Sequence, residues 1–151
     1  MRLSLEIIAW AALAVLLALP VISYPDLPDK IPTHFGGTGT PDAWGSKNQI
    51  WMLPAIGVGM FALLSFCAGF AAKKVTSQVR EENRVARAEL ERSLITALKA
   101  QAMMLFAYLA WAAIETAHGR ADGLSPAFLP VVISVTAVTL AFYFIRRSQL
   151  P

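Results

Sequence analysis

Residues 50–72 read IWMLPAIGVGMFALLSFCAGFAA, a run with no charged side chain that ends at Lys73 and Lys74. An α-helix rises about 1.5 Å per residue and the hydrocarbon core of a bilayer is about 30 Å thick, so a run of this kind predicts one crossing. Working outward, three further runs have the same character: 5–22, 97–117 and 126–145. The segments between them are rich in proline, glycine or charge. The expected fold class is therefore all-α, an integral membrane four-helix bundle forming a single domain.

Composition agrees with this reading. Hydrophobic residues make up 56% of the chain and charged ones 15%, whereas a soluble domain carries about 25% charge. The net charge of +3 raises the question of a nucleic-acid partner. The basic residues cluster beside apolar runs, however, as topology signals do, so no nucleic-acid partner is expected. Cys67 is the single cysteine, which excludes an internal disulfide and suits a packing role. The first run also has the flank of a signal peptide, with Arg2 before it and Val21-Ile22-Ser23 at its end. Its length exceeds the usual apolar region of about 7 to 15 residues, so a retained helix is expected.

Short loops bearing Lys and Arg stay in the cytoplasm. Lys73, Lys74, Arg80, Arg84, Arg87 and Arg92 follow the second run, Arg146 and Arg147 follow the fourth, and Arg2 precedes the first; Lys30, Lys47 and Arg120 lie on the other side. The expectation is a multi-pass protein of the plasma (inner) membrane, both termini cytoplasmic, with 23–49 and 118–125 outside. Residues 77–98 lack Gly and Pro and favour helix, with Ser77 as N-cap and Leu90, Leu94 and Leu98 on one stripe. This segment is read as a cytoplasmic extension of the third helix that packs on the bundle, a partner-binding coiled-coil arm being the alternative. Small pairs four apart, Ala55 with Gly59, Ser65 with Gly69 and Ala137 with Ala141, are candidates for close helix approach and leave a homo-oligomer open.

Four of the nine prolines fall between the first two runs, at Pro25, Pro28, Pro32 and Pro41. Proline fixes φ and biases its predecessor toward extended geometry, so an extended entry is expected up to Pro32. Gly36, Gly37 and Gly39 permit a tight reversal, and Pro41-Asp42 suits a second turn. Phe35 and Trp44 are expected to cover the outer end of the helices with their rings.

Leu27-Pro28-Asp29, Ile31-Pro32, His34-Phe35, Gly39, Pro41-Asp42, Trp44-Gly45 and Lys47 resemble the signature of a bacterial membrane family, the domain of unknown function at the start of sporulation-delay immunity (SdpI-like) proteins. The resemblance covers about the first half of the chain, with Gly36 where that pattern often has Asn. It implies a multi-spanning plasma-membrane protein, linked in some members to immunity against a secreted toxic peptide and to signalling.

The leading functional expectation is a binding or sensing module whose outer loop recognises an extracytoplasmic peptide, a lipid or a membrane protein partner. Asp29, His34, Asp42, Lys47 and Glu115 would supply polar contacts, and Phe35 and Trp44 apolar anchors. An alternative rests on Glu115 and His118, three apart on one helix face. With His34 and Asp42 they form a candidate set for a divalent metal such as zinc and for metal-assisted chemistry at the outer surface. A small transporter or channel subunit is a third reading, for which the spans offer few ionisable groups. Glu6 is expected to reach the interface or to pair with Arg2. No nucleophile elbow, HExxH or phosphate-binding loop is present, so an enzyme is not the expected class.

Overall fold

The computed structural model describes residues 2–78 and 81–150, with side chains excepted over 72–83. Its helices are α1 (Arg2–Ser23), α2 (Met52–Gln78), α3 (Glu81–Ala117) and α4 (Phe128–Ser148). All four are long and apolar enough to cross a membrane. Pro54 and Pro130 each fall third in their helix, where a backbone N–H would have no intrahelical acceptor, so neither interrupts the ladder.

The segment between α1 and α2 departs from an all-α expectation. After a 3₁₀ turn at Tyr24–Asp26, strand β1 (Lys30–Phe35) pairs antiparallel with β2 (Pro41–Ser46), and a second 3₁₀ turn, Lys47–Trp51, leads into α2. The extended entry predicted from the prolines is present as β1. Pro41-Asp42, expected as a turn, instead opens β2. A two-stranded ribbon has only edges, which is where Pro32 and Pro41 are tolerated. The reversal itself lies at Gly36–Thr40, with Gly36 N–H donating to Thr40 O at 2.8 Å and Gly39 N–H to Gly36 O at 2.9 Å. Gly39 has φ +87°, a left-handed conformation that only glycine adopts without strain.

The helices do not form an evenly packed bundle. α3 is central: α1 and α2 pack extensively against it, and α4 packs chiefly against it as well. One core joins Ala9, Ala12, Leu13 and Leu16 of α1 to Phe61 of α2 and Ala100, Met103, Ala107 and Ala110 of α3. A smaller core lies beneath the hairpin, from Leu27, Ile31, Ile50, Ala113 and Ile114. α4 enters neither, and Tyr143 is its buried residue. Close approach inside an apolar solvent depends on small side chains, here the alanines of α1 and α3. The expected glycine pairs do not supply it, since a Cβ on Gly59 or Gly69 would meet nothing within 4 Å. Gly57 faces the interface instead, beside Leu16.

α3 has 37 residues, about 55 Å of helix, so it extends about 25 Å beyond a hydrocarbon core. Its first third is tied to both chain ends: Arg2 lies 3.5 Å from Glu89, Arg87 donates to Leu150 O at 3.2 Å, and Arg147 donates to Glu91 at 2.9 Å. The extension therefore packs back on the other helices, and Leu90, Leu94 and Leu98 are half-buried. Ser77 lies within α2 and does not head α3; its expected capping side chain, and those of Lys73, Lys74 and Arg80, fall outside the described side chains.

Candidate functional site

The hairpin is the roof of a cavity of about 840 Å³. Its back wall is α3 through Leu109 and Ala113, its sides are Met52, Leu53 and Ile56 of α2 and Phe128 and Leu129 of α4, and the polar residues Thr33 and His34 of the hairpin, Gln49 of the second 3₁₀ turn and Ser125 of the α3–α4 connection line its upper end. This volume falls within the range of small-molecule sites, about 300 to 1,000 Å³, and a mostly apolar lining with a few polar groups is their usual chemistry.

The hairpin register shapes the roof. Pairing is regular from Lys30 opposite Ser46 to Pro32 opposite Trp44, then slips on both sides of His34, so that Thr33 and Asp42 have no direct partner. Bulges of this kind re-aim side chains. Here the irregularity brings the carboxylate of Asp42 onto Nδ1 of His34 at 2.5 Å. Both side chains are more than half exposed.

The hairpin tip is strapped to the α3–α4 connection. Leu124 N–H donates to Gly39 O at 2.8 Å. A Cβ on Gly123 (φ +139°) would stand 2.2 Å from Gly39 O, and one on Gly39 would stand 2.6 Å from Leu124 O. Two backbones meet with no room for a side chain on either.

Below the hairpin, α3 ends in a Schellman motif. Arg120 N–H donates to Glu115 O at 2.9 Å and Gly119 N–H to Thr116 O at 3.0 Å, with Gly119 at φ +70°. This is the residue pattern of a glycine C′ cap. The reversal throws Arg120 back onto Glu115, and its Nε and one terminal nitrogen each donate to a carboxylate oxygen at 2.7 Å. That bidentate contact is the main cause of the Arg120 guanidinium being held further above its ordinary range. Glu115, expected to supply a polar contact at the outer loop, is paired with Arg120, because the left-handed Gly119 turns the chain back over the end of α3. The ring nitrogens of His118 lie 2.9 Å from Ile114 O and 3.2 Å from Asp26 O, so this side chain bridges the end of α3 to the end of α1's 3₁₀ turn.

The candidate residues thus fall into separate groups. His34 and Asp42 are together, and Glu115 and His118 are together with Arg120. Among the described residues no three of His, Cys, Asp and Glu are placed to hold a metal ion, so the structure does not gather the expected His34, Asp42, Glu115 and His118 set. Asp29 serves through its backbone, its carbonyl accepting from Lys47 N–H at 3.0 Å. The Lys47 ammonium lies 5.2 Å from the centre of the Tyr24 ring, whose hydroxyl donates to Asn48 at 2.5 Å. Phe35 packs on the smaller core as expected. Trp44 does not, remaining half exposed on β2.

At the far end of the helices the structure contains a polar cluster that reading the sequence had missed. Lys99 of α3 is buried, its side chain 5% exposed, and its ammonium donates to Glu6 of α1 at 2.7 Å and to Ser65 of α2 at 3.2 Å. Thr96 donates to the second oxygen of Glu6 at 3.1 Å, and the Phe61 ring lies 4.6 Å from the ammonium. The available signal was the opposite charge of Glu6 and Lys99, each near the same end of an apolar run. A neutral counterpart links α3 to α4: Gln101 donates to Thr139 at 2.7 Å and accepts from Thr136 at 3.1 Å.

The class defined by these observations is a mostly helical protein, with four membrane-length helices and a hairpin-roofed cavity at one end. Residues 11–58 match a family model described as a domain of unknown function (DUF1648), a match that covers most of α1, the hairpin and the start of α2. An uncharacterised protein of Archaeoglobus fulgidus is 44% identical over 45 residues, 30% of this chain and 25% of that protein. The aligned part is thus a quarter of that relative's length. No solved structure matches the chain.

Proposed function

We propose that this chain is a plasma-membrane binding and sensing protein of the SdpI-like immunity type, with both termini cytoplasmic and the hairpin outside the cell. The charge asymmetry of the connecting segments supports that orientation. The observation that carries the functional reading is the cavity of about 840 Å³ beneath the hairpin, apolar on its walls and polar at its roof through His34, Thr33 and Gln49. An extracytoplasmic peptide, a lipid or a membrane partner would be recognised there, with the His34–Asp42 pair fixing polar groups at the rim. The α3 extension, tied to both termini through Glu89 and Glu91, would carry any change inward. A signal requires the bound molecule to favour one arrangement of the helices over another.

A photoreactive residue placed at Thr33 or Thr38 tests this in native membranes. Capture of a defined component, lost when His34 and Asp42 are replaced, supports the reading; repeated absence of any adduct overturns it. Transport is less well supported. Between the Lys99 cluster and the roof, the buried face of α3 is Ala100, Met103, Ala107 and Ala110, which offers an ion no polar step.

A further inference from the structure

The roof and the walls of the cavity differ in what they let through. On the hairpin side, the bond from Leu124 N–H to Gly39 O at 2.8 Å and the packed backbones of Gly39 and Gly123 strap the tip onto the α3–α4 connection. On the lateral side, α2 and α4 both pack on α3 rather than extensively on each other. The wall residues there, Met52, Ile56 and Leu129, are 55%, 48% and 48% exposed, although they belong to helices of membrane-spanning length and apolarity. Leu109, at the back, precedes the end of α3 at Ala117 by eight residues, which places it about 12 Å below that end. With the helices crossing the bilayer as proposed, the space behind the lateral opening lies at hydrocarbon depth.

From this geometry we infer that the occupant is a membrane lipid: one hydrocarbon chain enters sideways between α2 and α4 and lies against Leu109 and Ala113, while its headgroup hydrogen-bonds beneath the hairpin to His34, Thr33, Gln49 or Ser125. The inference rests on the proposed outer-face binding function and narrows it to one class of ligand. A lipid chain suits the site because it arrives already dehydrated. The polar groups at the roof are confined to the level where a headgroup would sit, whereas an extended peptide would leave its backbone unpaired against Leu53, Ile56 and Leu109.

The test uses the full chain in vesicles of phosphatidylethanolamine and phosphatidylglycerol containing a phospholipid with a diazirine in its acyl chain, at increasing mole fraction. After photolysis, mass spectrometry locates the adducts. The expected result is labelling at Leu109 that saturates at low mole fraction, while labelling at Phe66, 72% exposed on α2, rises in proportion to the probe. Filling the rim with Ile56→Trp, or the back with Ala113→Trp, is expected to lower the Leu109 adduct at least about fivefold, the size of an overpacking penalty of about 1 kcal/mol or more. Ile56 lies outside both cores, so its variant keeps the test valid should Ala113→Trp fail to fold. Leu109 labelling that tracks Phe66, or that neither variant changes, overturns the lipid assignment. If that happens while a probe at Thr38 captures a peptide or protein, the outer-face reading stands without the lipid; if both are blank, both fall.

Discussion

The ammonium of Lys99 lies 2.7 Å from the carboxylate of Glu6, with the lysine side chain 5% exposed between three helices. A buried ion pair contributes little relative to an apolar pair of similar shape, but removing one partner leaves a charge without compensation. Lys99→Met or Glu6→Met alone is expected to destabilise the fold by about 3 kcal/mol or more, and the double replacement Glu6→Met with Lys99→Met to recover most of that loss. Thermal unfolding of the four proteins in one detergent gives the coupling directly. A loss in the double variant equal to the sum of the two single losses would mean that the two groups act independently.

The contact between Gly39 and Gly123 has no space for a methyl group on either side. Gly39→Ala or Gly123→Ala is expected to release the hairpin tip from the α3–α4 connection, each also placing a side chain in a left-handed or forbidden backbone region at about 1 to 3 kcal/mol. Limited proteolysis reads this out as faster cleavage between Phe35 and Pro41. Gly37→Ala, which meets nothing within 4 Å, is the matched control and is expected to leave the cleavage rate unchanged.

Gln101 is the polar link from α3 to α4 within the apolar region, bonded to Thr136 and Thr139. Hydrogen bonds between helices in lipid contribute about 0.6 kcal/mol on average and up to about 1.7. Gln101→Leu is therefore expected to loosen α4 without unfolding α1, α2 and α3, seen as faster hydrogen exchange confined to α4. Protection lost equally across all four helices would contradict the central position of α3.

Arg120 reaches Glu115 only because Gly119 takes φ +70°. Gly119→Ala costs about 1 kcal/mol for that conformation and is expected to weaken the Glu115 contact as Arg120→Gln does. Gly119→Ala should therefore lose more thermal stability than Arg120→Gln, and the double variant less than the sum of the two.

Much of the fold was legible because apolar length is a strong signal: the runs 5–22, 50–72 and 126–145 became α1, α2 and α4 with ends moved by up to six residues, and the run 97–117 joined its expected extension as α3 from Glu81. The hairpin was half legible. Prolines announced an extended entry, yet two short strands without an apolar alternation give no periodic signal, so Pro41-Asp42 looked like a turn. Lys99 was overlooked because its partners come from two other helices, α1 and α2, and only their packing makes one lysine in an apolar run a cluster. The separation of His34 and Asp42 from Glu115 and His118 was equally hidden, since it depends on the Schellman turn at Gly119 and on a register slip in the hairpin, neither of which residue spacing encodes.

We propose that the helices span the bilayer with the hairpin outside the cell. Replacing Thr38 with cysteine in a Cys67→Ala background, and labelling intact cells with a membrane-impermeant maleimide, tests it most directly, with a cysteine at the exposed Val85 of α3 as the opposite-side reporter. With the hairpin outside, the Thr38 site is expected to react in intact cells and the Val85 site only after lysis. The reverse pattern would contradict the orientation and, with it, the placement of the proposed site.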